Sequence, residues 1–583
     1  MKVLLIQPPI RDFYQTTIRT QPIGLAYLAA SLVQHGHEAA ILDCQTGQRR
    51  AIPVPPELSH LRVFYPFDDR SPFKLYTGYY HFGMAWDEIR RSIEASEADV
   101  FGISSSFTPY HGEALEIARL VKEWDGKKVV VMGGAHVSGD PEGVLQSPFV
   151  DYVVLGEGEI RFPRLLEAME RGAVEHLEEI DGMGYRKDGR IHIVPVQCFI
   201  EDLDGLPYPS RELLDPERYR FGKKRSTMLI TSRGCPHRCA YCSAHLVMGS
   251  TFRKRSPNPV LREMLECHRR YDIRLFDIED DNFTFDRARA KELMKLILET
   301  FGERRLELTA MNGVSYASLD KELLDLMGRA GFRSIGLSLV SADASIREGM
   351  ARPGSPSSFD EILKEAEMAG LDATVYAILG MPGQTIEEMV DTLVLLMGRR
   401  VLIGPSIYYP TPGTPLFNAC KRRGLLPHPS SLWRSSAFPV ETSEFDRLDL
   451  VTLFRLARVL NTIKGRMVID DLEEGLTVGQ LDQVLRDRKA GKKVEAKVEG
   501  EEDRSPECRA RRNRGVSCED LILTLLCERS FVSLRRGGDG KMTAVKERSS
   551  RRVLDCFFEK ARRRPILGTR SARGAPPGTP GRP

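Results

Sequence analysis

The stretch Thr231-Ser232-Arg233-Gly234-Cys235-Pro236-His237-Arg238-Cys239-Ala240-Tyr241-Cys242 decides how the rest of the chain is organised. Its three cysteines are spaced CxxxCxxC in one loop, so they can bind three irons of a cubane cluster and leave the fourth iron open. The apolar run 228–230 before the loop predicts a strand. We therefore expect the cluster at the carboxyl end of a strand, where barrel enzymes keep their active sites.

Two other uses of three close cysteines stay open at this point. A structural zinc site needs four ligands, and no second cysteine pair follows, although His237 or His245 could supply the fourth. Disulfides belong to oxidising compartments, whereas a cluster loop suits a reducing cytosol. The spacing favours the iron–sulfur cluster over both alternatives.

The loop resembles the signature of the radical S-adenosylmethionine superfamily. In that family the open iron binds S-adenosylmethionine, and an electron from the 4Fe–4S cluster cleaves it to a 5'-deoxyadenosyl radical that abstracts a hydrogen atom from substrate. The resemblance implies a metal-binding enzyme that takes its electron from an external donor such as flavodoxin or ferredoxin. It also implies that the cluster ligands are Cys235, Cys239 and Cys242.

Other residues at predicted strand ends match the superfamily's contacts to S-adenosylmethionine. The acidic run 279–281 suits the cationic amino group of the cofactor, although Asp280 or Asp281 could equally cap a helix. Val340 stands where the family usually carries a glutamate, so Ser338 is the better candidate for the ribose contact. The resemblance thus implies contacts from Tyr241, Glu279, Asp280, Asp281, Ser338, Gly380, Pro382 and Gly383.

Residues 1–180 alternate short apolar runs with helical patterns, which predicts a Rossmann-like, doubly wound parallel sheet. Such sheets bind ligands at the carboxyl ends of their strands. Three turns would lie there, and their glycines and serines let the backbone approach a bulky ligand. The residues concerned are Ser104, Ser105, Gly133, Gly134, Gly156 and Glu157.

The order of these blocks resembles the cobalamin-binding domain found in one subclass of the superfamily, which implies that the six residues contact cobalamin. The DxHxxG pattern that supplies a histidine to cobalt is absent. We therefore expect His136, in GGAHVSG, to be structural or solvated. An ordinary dinucleotide domain is a weaker alternative, because no GxGxxG follows the first strand. A domain that kept the fold and lost the cofactor is a third reading.

The remaining sequence divides into four further segments. A turn-rich linker is expected at 181–221, and six strand–helix units at 222–430 predict a partial (β/α)6 TIM-like barrel. Residues 431–487 predict a helical C-terminal segment. Residues 488–583 are basic and rich in proline and glycine near the end, so we expect a disordered tail or a reading-frame error. Its cysteines, Cys508, Cys518, Cys527 and Cys556, are too scattered to predict a second cluster.

The composition limits the classes of partner that we expect. The chain has 583 residues and a formal net charge of +3, and this balance argues against a nucleic-acid partner. Without an apolar run of eighteen residues or a signal peptide, no membrane span is expected and a cytoplasmic location is predicted.

The leading prediction for function is a cobalamin-dependent methyltransferase that acts on an unactivated carbon of a small-molecule, lipid or natural-product substrate. One alternative is a radical cyclase or rearrangement enzyme on a tetrapyrrole or lipid. Another is a cobalamin-binding sensor without catalysis. Methylthiotransfer to transfer RNA is disfavoured because an additional N-terminal cysteine trio is missing. No catalytic residue beyond the cluster is assigned, since radical chemistry needs no acid–base pair.

Overall fold

The computed structural model describes residues 1–14, 21–352, 354–469, 475–489, 518–538 and 542–569. The strands of these residues are β1 (Lys2–Gln7), β2 (Ile10–Asp12), β3 (Glu38–Asp43), β4 (Arg50–Ile52), β5 (Tyr79–Phe82), β6 (Val100–Ser104), β7 (Val129–Gly133), β8 (Tyr152–Val154), β9 (Met183–Lys187), β10 (Arg190–Ile193), β11 (Arg220–Phe221), β12 (Lys224–Leu229), β13 (Ser232–Arg233), β14 (Arg253–Lys254), β15 (Leu275–Ile278), β16 (Glu307–Thr309), β17 (Ser334–Val340), β18 (Asp372–Leu379), β19 (Val401–Ile407), β20 (Val532–Arg536) and β21 (Met542–Lys546).

The α-helices of the same residues are α1 (Ile23–Gln34), α2 (Trp86–Glu94), α3 (His111–Trp124), α4 (Ala135–Gly139), α5 (Pro141–Leu145), α6 (Gly158–Glu170), α7 (Ala244–Met248), α8 (Pro257–Tyr271), α9 (Arg287–Phe301), α10 (Lys321–Ala330), α11 (Ala344–Gly349), α12 (Pro356–Met368), α13 (Ile386–Met397), α14 (Pro415–Arg422), α15 (Arg447–Ile469), α16 (Val478–Lys489), α17 (Cys518–Glu528) and α18 (Arg551–Ala561).

The N-terminal sheet has the strand order β10-β9-β8-β7-β6-β1-β3. Its strands β3, β1, β6, β7 and β8 are parallel, with helices between them, which confirms the predicted Rossmann-like sheet. Strands β9 and β10 extend it as an antiparallel hairpin. Their turn, Asp188-Gly189, has positive φ at both residues, as a two-residue hairpin turn requires. The linker prediction is therefore wrong for residues 183–193, which belong to the sheet.

A second, small antiparallel sheet, β2-β5-β4, comes from the early part of the chain. The Phe13 ring beside β2 packs 4.9 Å from the ring of Tyr79 and 5.3 Å from that of Tyr65. These rings belong to the same hydrophobic core as the barrel strands. The insertion thus attaches the N-terminal region to the barrel.

The barrel consists of two groups of three parallel strands, β12-β15-β16 and β17-β18-β19. Parallel bridges between Leu308 and Phe332 and between Val314 and Leu337 connect the groups. Six parallel strands confirm the predicted partial barrel. Tyr376 on β18 packs where a Cβ atom on Gly336 or Gly404 would lie within 2.8 Å of its ring. The tyrosine therefore occupies space that the two glycines leave free.

The long helix α15 packs against the outermost barrel strand, β19. The Asn461 side chain accepts from the Ile403 N–H at 2.8 Å and donates to its carbonyl at 2.7 Å. This amide therefore takes the place of a neighbouring strand at the edge of the sheet. Within the described ranges, no helix is both long and apolar enough to cross a membrane.

The expectation of a disordered basic tail is wrong for residues 518–538 and 542–569. These residues form a helix, a hairpin and a second helix, and their apolar side chains join the barrel core. The Leu534 N–H donates to the Asp69 carboxylate at 3.1 Å. Arginine-rich composition concealed the apolar stripe of the last helix, in which Val553, Leu554 and Phe557 are buried. Cys508 and the arginines at 509–514 lie outside the described residues.

Candidate functional site

The cysteine loop follows strand β12 and is shaped by one glycine. Gly234 has φ of +79°, and a Cβ atom there would lie 2.3 Å from the Thr251 carbonyl oxygen. Its N–H donates to the Asp281 carboxylate at 3.0 Å. The loop then turns tightly, with the Cys242 N–H 3.0 Å from the Cys239 carbonyl. Three thiols on one short, fixed loop are a donor set suited to a cubane cluster.

The surroundings of the thiols also suit bound iron. The Asn282 Nδ2 lies 3.6 Å from the Cys235 Sγ and donates to it, which would stabilise a thiolate. Burial raises the pKa of Cys235, and that of Cys242 to about 11, so iron has to displace protons when it binds. In the described part of the chain, no three histidine, cysteine or acidic side chains converge on one metal ion. Ligands of separate irons in a cubane need not converge in that way.

The acidic run after β15 supports the cysteine loop. Asp280 is buried and accepts hydrogen bonds from the Thr231 N–H and the Ser232 hydroxyl, each at 2.6 Å. Helix α9 is capped by Asp286, so the alternative that Asp280 or Asp281 caps a helix is wrong. The carboxylates of Asp280 and Asp281 are thus engaged with the loop.

Glu279 is half-buried at the end of β15, and its N–H donates to the Leu229 carbonyl at 2.9 Å. Its predicted contact with the amino group of S-adenosylmethionine stays a prediction, as do those of Asp280 and Asp281.

The turn after β18 contains Gly380, Pro382 and Gly383. Gly380 and Gly383 both have positive φ, and the Gln384 side chain closes the turn by bonding to Met381 and Ile378. Thr385 then caps helix α13. Gly380 lies under the Leu450 side chain of α15, whereas Gly383 is exposed, with open space where a Cβ atom would stand.

Two further predicted contacts lie beside the cysteines and inside the barrel. Tyr241 is half-buried, and the nearby Cys239 thiol adds to burial in raising its pKa. Ser338 is half-buried on β17, next to Gly313. Val340 ends that strand at a φ of +73°, which is an unusual conformation for a β-branched residue. The roles of Tyr241 and Ser338 toward the cofactor stay predictions.

The turns predicted to contact cobalamin lie together at the carboxyl edge of the N-terminal sheet. Gly134 has φ of +114°, and a Cβ atom there would lie 2.7 Å from the Ser105 carbonyl oxygen. The Ser104 hydroxyl bonds to the neighbouring Ser106 hydroxyl, and the Gly156 N–H donates to the Ser138 hydroxyl oxygen. Backbone and small side chains therefore form this edge, together with Gly133.

His136 lies behind the edge in a paired arrangement with His111. The two rings have centroids 4.1 Å apart, and each bonds to a hydroxyl, His136 to Thr108 and His111 to Ser105. Burial lowers the pKa of His136 to about 4 and that of His111 to about 3, so both rings are neutral at pH 7. The engaged His136 fits the structural role expected for it.

Glu157 has a different role from the one predicted. Its side chain is fully buried, and its carboxylate accepts from Arg233 at 2.9 Å, from Arg253 and from the Ile200 N–H at 2.8 Å. Glu159 binds the other guanidinium nitrogen of Arg233 at 2.6 Å. The carboxylate of Glu157 is therefore not available to cobalamin; it connects the N-terminal sheet to the cysteine loop.

The carboxyl edges of the two sheets meet at this junction. A Cβ atom on Gly139, at the end of α4, would lie 2.5 Å from the carbonyl oxygen of Pro412, in the loop that follows β19. Tyr409, in the same loop, keeps exposed surface, yet burial raises its pKa, with further contributions from Asp12 and Cys242. Tyr409 is therefore a partly accessible side chain that stands close to the cysteine loop.

Sequence reasoning missed Arg233, Arg253, Glu159 and Asn282. The three charged residues stand close to the motifs that were recognised, but nothing local shows that they pair across 74 to 96 positions of sequence. Asn282 directly follows the acidic run, and that adjacency was the one available signal.

Comparison with known proteins agrees with this division of the chain. The family model of the radical SAM superfamily matches residues 229–396, and that of the B12 binding domain matches residues 77–166. The chain is 27% identical over 485 residues to an uncharacterised methyltransferase of Pyrococcus horikoshii, covering 81% of this chain and 95% of that protein.

Two other relatives carry more specific names. Cytidylyl-2-hydroxyethylphosphonate methyltransferase of Streptomyces wedmorensis is 28% identical over 474 residues, covering 74% of this chain and 84% of that protein. Anaerobic magnesium-protoporphyrin IX monomethyl ester cyclase of a Synechocystis strain is 24% identical over 366 residues, covering 62% and 65%.

A solved structure shares the fold. OxsB, a cobalamin-dependent S-adenosylmethionine radical enzyme solved with aqua-cobalamin and S-adenosylmethionine, superposes with a TM-score of 0.58 at 15% identity. The match covers 83% of this chain and 68% of OxsB. With the cysteine loop at the barrel mouth and the B12-type sheet facing it, the chain combines a radical SAM domain, matched at residues 229–396, with a B12-binding domain, matched at residues 77–166.

Proposed function

We propose that this protein is a cobalamin-dependent radical S-adenosylmethionine methyltransferase that methylates an unactivated carbon. The observation that carries the proposal is the junction of the two sheets at their carboxyl edges. Arg233, two residues before the first cluster cysteine, is ion-paired to Glu157 in the turn after β8. A methyl donor on one sheet and a hydrogen-abstracting centre on the other would then face each other across this junction.

The division of labour follows from the residues on each side. When bound, the 4Fe–4S cluster with S-adenosylmethionine supplies the hydrogen-abstracting radical, and cobalamin supplies the methyl group. Cys235, Cys239 and Cys242 would hold the cluster, and Asp280 fixes the backbone that presents them. Burial around Tyr409 limits water, which protects a reactive intermediate from side reactions.

Names of relatives support methylation over other radical chemistry. Two of the relatives described above are named methyltransferases, and the alignment with this chain covers 95% and 84% of their lengths. The relative named a cyclase keeps a radical cyclisation as a second candidate. The substrate class, a flavodoxin- or ferredoxin-type donor and a cytoplasmic location remain predictions.

Anaerobic reconstitution of the full chain tests the proposal. The measurements are iron and cobalt content, and products formed from S-adenosylmethionine and dithionite. We expect about four irons per chain, bound cobalamin, and both 5'-deoxyadenosine and S-adenosylhomocysteine. The first product without the second and without cobalt would favour the cyclase. The Cys239→Ala variant should form neither product, whereas a sensor would keep its cobalamin response.

A further inference from the structure

A row of tyrosines begins beside Cys242. Tyr409 is close enough to Cys242 and to Tyr14 for their charges to affect one another's pKa. The Tyr14 hydroxyl lies 2.7 Å from the Ser435 hydroxyl, and its ring meets that of Tyr76 edge-on at 6.0 Å. Tyr14 and Tyr409 both keep exposed surface. The row of phenol groups therefore leads away from the cluster loop.

Arg458 of helix α15 stands at the far end of this row. Its Nη1 donates to the carbonyls of Lys74 and Leu75, and its guanidinium lies 5.3 Å from the centre of the Phe454 ring. Burial lowers the pKa of Arg458, and the nearby Tyr76 and Tyr14 act in the opposite direction. The residue is half-buried, so part of it remains accessible.

Within the described ranges, no acidic side chain pairs with the positive charge of Arg458. Over residues 1–14, 21–352, 354–469, 475–489, 518–538 and 542–569, no carboxylate lies within 4 Å of its guanidinium, and its Nε and Nη2 make no hydrogen bond. The hydroxyl of Tyr76 likewise makes none with these residues. An ionised group held away from water is costly unless an opposite charge joins it.

Asp12, the acid whose charge acts on Tyr14 and Tyr76, is already paired. Asp12 is buried and accepts hydrogen bonds from Tyr110 at 3.0 Å and from Ser436 at 2.7 Å. The Arg434 guanidinium lies 3.5 Å from the same carboxylate. Asp12 therefore does not compensate Arg458, and its repulsion of an incoming anion is reduced.

We propose that Arg458, Tyr76 and Tyr14 bind an anionic group of the substrate, a carboxylate or a phosphoryl group. The edge of the planar guanidinium formed by Nε and Nη2 matches such oxygens in a bidentate way, and a tyrosine hydroxyl adds a donor. The inference rests on the proposed function, because it assumes a substrate whose reacting carbon lies near Cys242. It narrows the substrate to molecules with an acidic group at one end.

Binding of small anions to the reconstituted full chain tests the site without turnover. Binding of methylphosphonate is measured from the width of its phosphorus NMR resonance. Binding of acetate is measured from its competition with methylphosphonate and from its own proton resonance. We expect saturable binding, with Arg458→Gln weakening it at least tenfold and Arg458→Lys by an intermediate factor. The matched control is Arg548→Gln, which removes an exposed arginine and should leave the affinity unchanged.

Each outcome decides the matter. Competition by acetate would identify a carboxylate-accepting site, and binding of methylphosphonate alone would identify a phosphoryl site; both support the proposal. Equal affinity in wild type and Arg458→Gln, or no saturable binding of either anion to wild type, would overturn it. Should Arg458→Gln fail to fold, Tyr76→Phe retains the ring and should weaken binding about three- to tenfold. A protein that binds neither anion could still form the methylation products. The two experiments therefore test the anion site and the methyltransferase activity independently.

Discussion

The Oε1 atom of Glu157 lies 2.9 Å from Nη1 of Arg233, and this contact joins the carboxyl edge of the N-terminal sheet to the loop of cluster cysteines. Both side chains are almost fully buried, and Arg253 and Glu159 complete the group. Charges buried in this way hold their geometry well because the alternative, an unpaired charge away from water, is costly.

Replacing Glu157 with glutamine should destabilise the protein and loosen the cysteine loop. The change leaves Arg233 and Arg253 short of a compensating charge, which we expect to cost about 3 kcal/mol in the free energy of unfolding. Urea unfolding followed by circular dichroism measures this loss. The exposed pair of Glu123 with Arg119 supplies the control, since Glu123→Gln should change stability little. Equal losses of stability in the two variants would show that the buried ion pairs stabilise the fold no more than the exposed pair does.

Gly234→Ala should abolish cluster binding. A Cβ atom would lie 2.3 Å from the Thr251 carbonyl oxygen, and the φ of +79° is itself unfavourable for alanine. We expect iron to fall from about four per chain to less than one. Gly222→Ala is the matched control, because Gly222 has φ of +61° with nothing within 4 Å. Full iron content in Gly234→Ala would contradict the geometry of the loop.

Asn282→Ala should make the cluster harder to reduce. The amide donates to the Cys235 sulfur over 3.6 Å, and hydrogen bonds to cluster sulfurs stabilise the more negative, reduced state. A redox titration monitored by electron paramagnetic resonance should therefore give a more negative midpoint potential at unchanged iron content. An unchanged potential would mean that the amide serves the loop structure alone.

Lys464→Met should remove a pH dependence of stability. The Lys464 ammonium is fully buried and donates to the carbonyls of Leu396, Arg399 and Val401 at 2.6 to 2.9 Å. Burial lowers its pKa to about 7, so between pH 7 and 10 the unfolded chain binds more protons than the folded one. Wild-type stability should rise over that window by up to about 1.4 kcal/mol per pH unit relative to the variant.

The same variant should be less stable than wild type by about 2 kcal/mol near pH 8, since three buried carbonyls lose their donor. Denaturant unfolding of both proteins at pH 7, 8, 9 and 10 measures the two effects together. A constant difference across the four pH values would show that Lys464 keeps its proton throughout.

Deleting residues 518–583 should prevent cooperative folding. Asp449 of α15 is buried and is held by Ser550 and Arg552, so the truncation leaves its carboxylate without these partners. The deletion also uncovers the barrel face against which Leu554 and Phe557 pack. We expect aggregation or a non-cooperative thermal transition by differential scanning calorimetry. A soluble truncated chain with an unchanged melting temperature would contradict this packing.

Local patterns were sufficient for much of the fold. Strand runs depend on neighbouring residues, so the two sheets could be predicted. The cysteine spacing is equally local, and the ligand roles of Cys235, Cys239 and Cys242 that it indicates stay predictions. The hairpin at Asp188-Gly189 also had a local signal, since this dipeptide between alternating apolar residues is a strong turn indicator. It was overlooked because the surrounding segment contains several prolines and glycines.

The interior contacts could not be predicted in the same way. Glu157 appeared as part of a glycine-rich turn, and only the folded chain shows that Arg233, 76 positions later, takes up its carboxylate. Arg458 lay on a helix whose apolar stripe indicated packing, and its charge gave no sign of facing a row of tyrosines. Contacts between residues far apart in sequence leave no periodic pattern, so a pattern-based prediction misses them.

The hairpin β20-β21 can contact the early insertion only late in the synthesis of the chain. Leu534 exchanges backbone and side-chain hydrogen bonds with Asp69 and Arg70, which precede it by 465 and 464 positions. At a ribosomal rate of about 5–20 residues per second, the early insertion waits roughly 20–90 s for this partner. The Asp69 carboxylate and the Arg70 N–H therefore lack these hydrogen bonds until the C-terminal hairpin has been made.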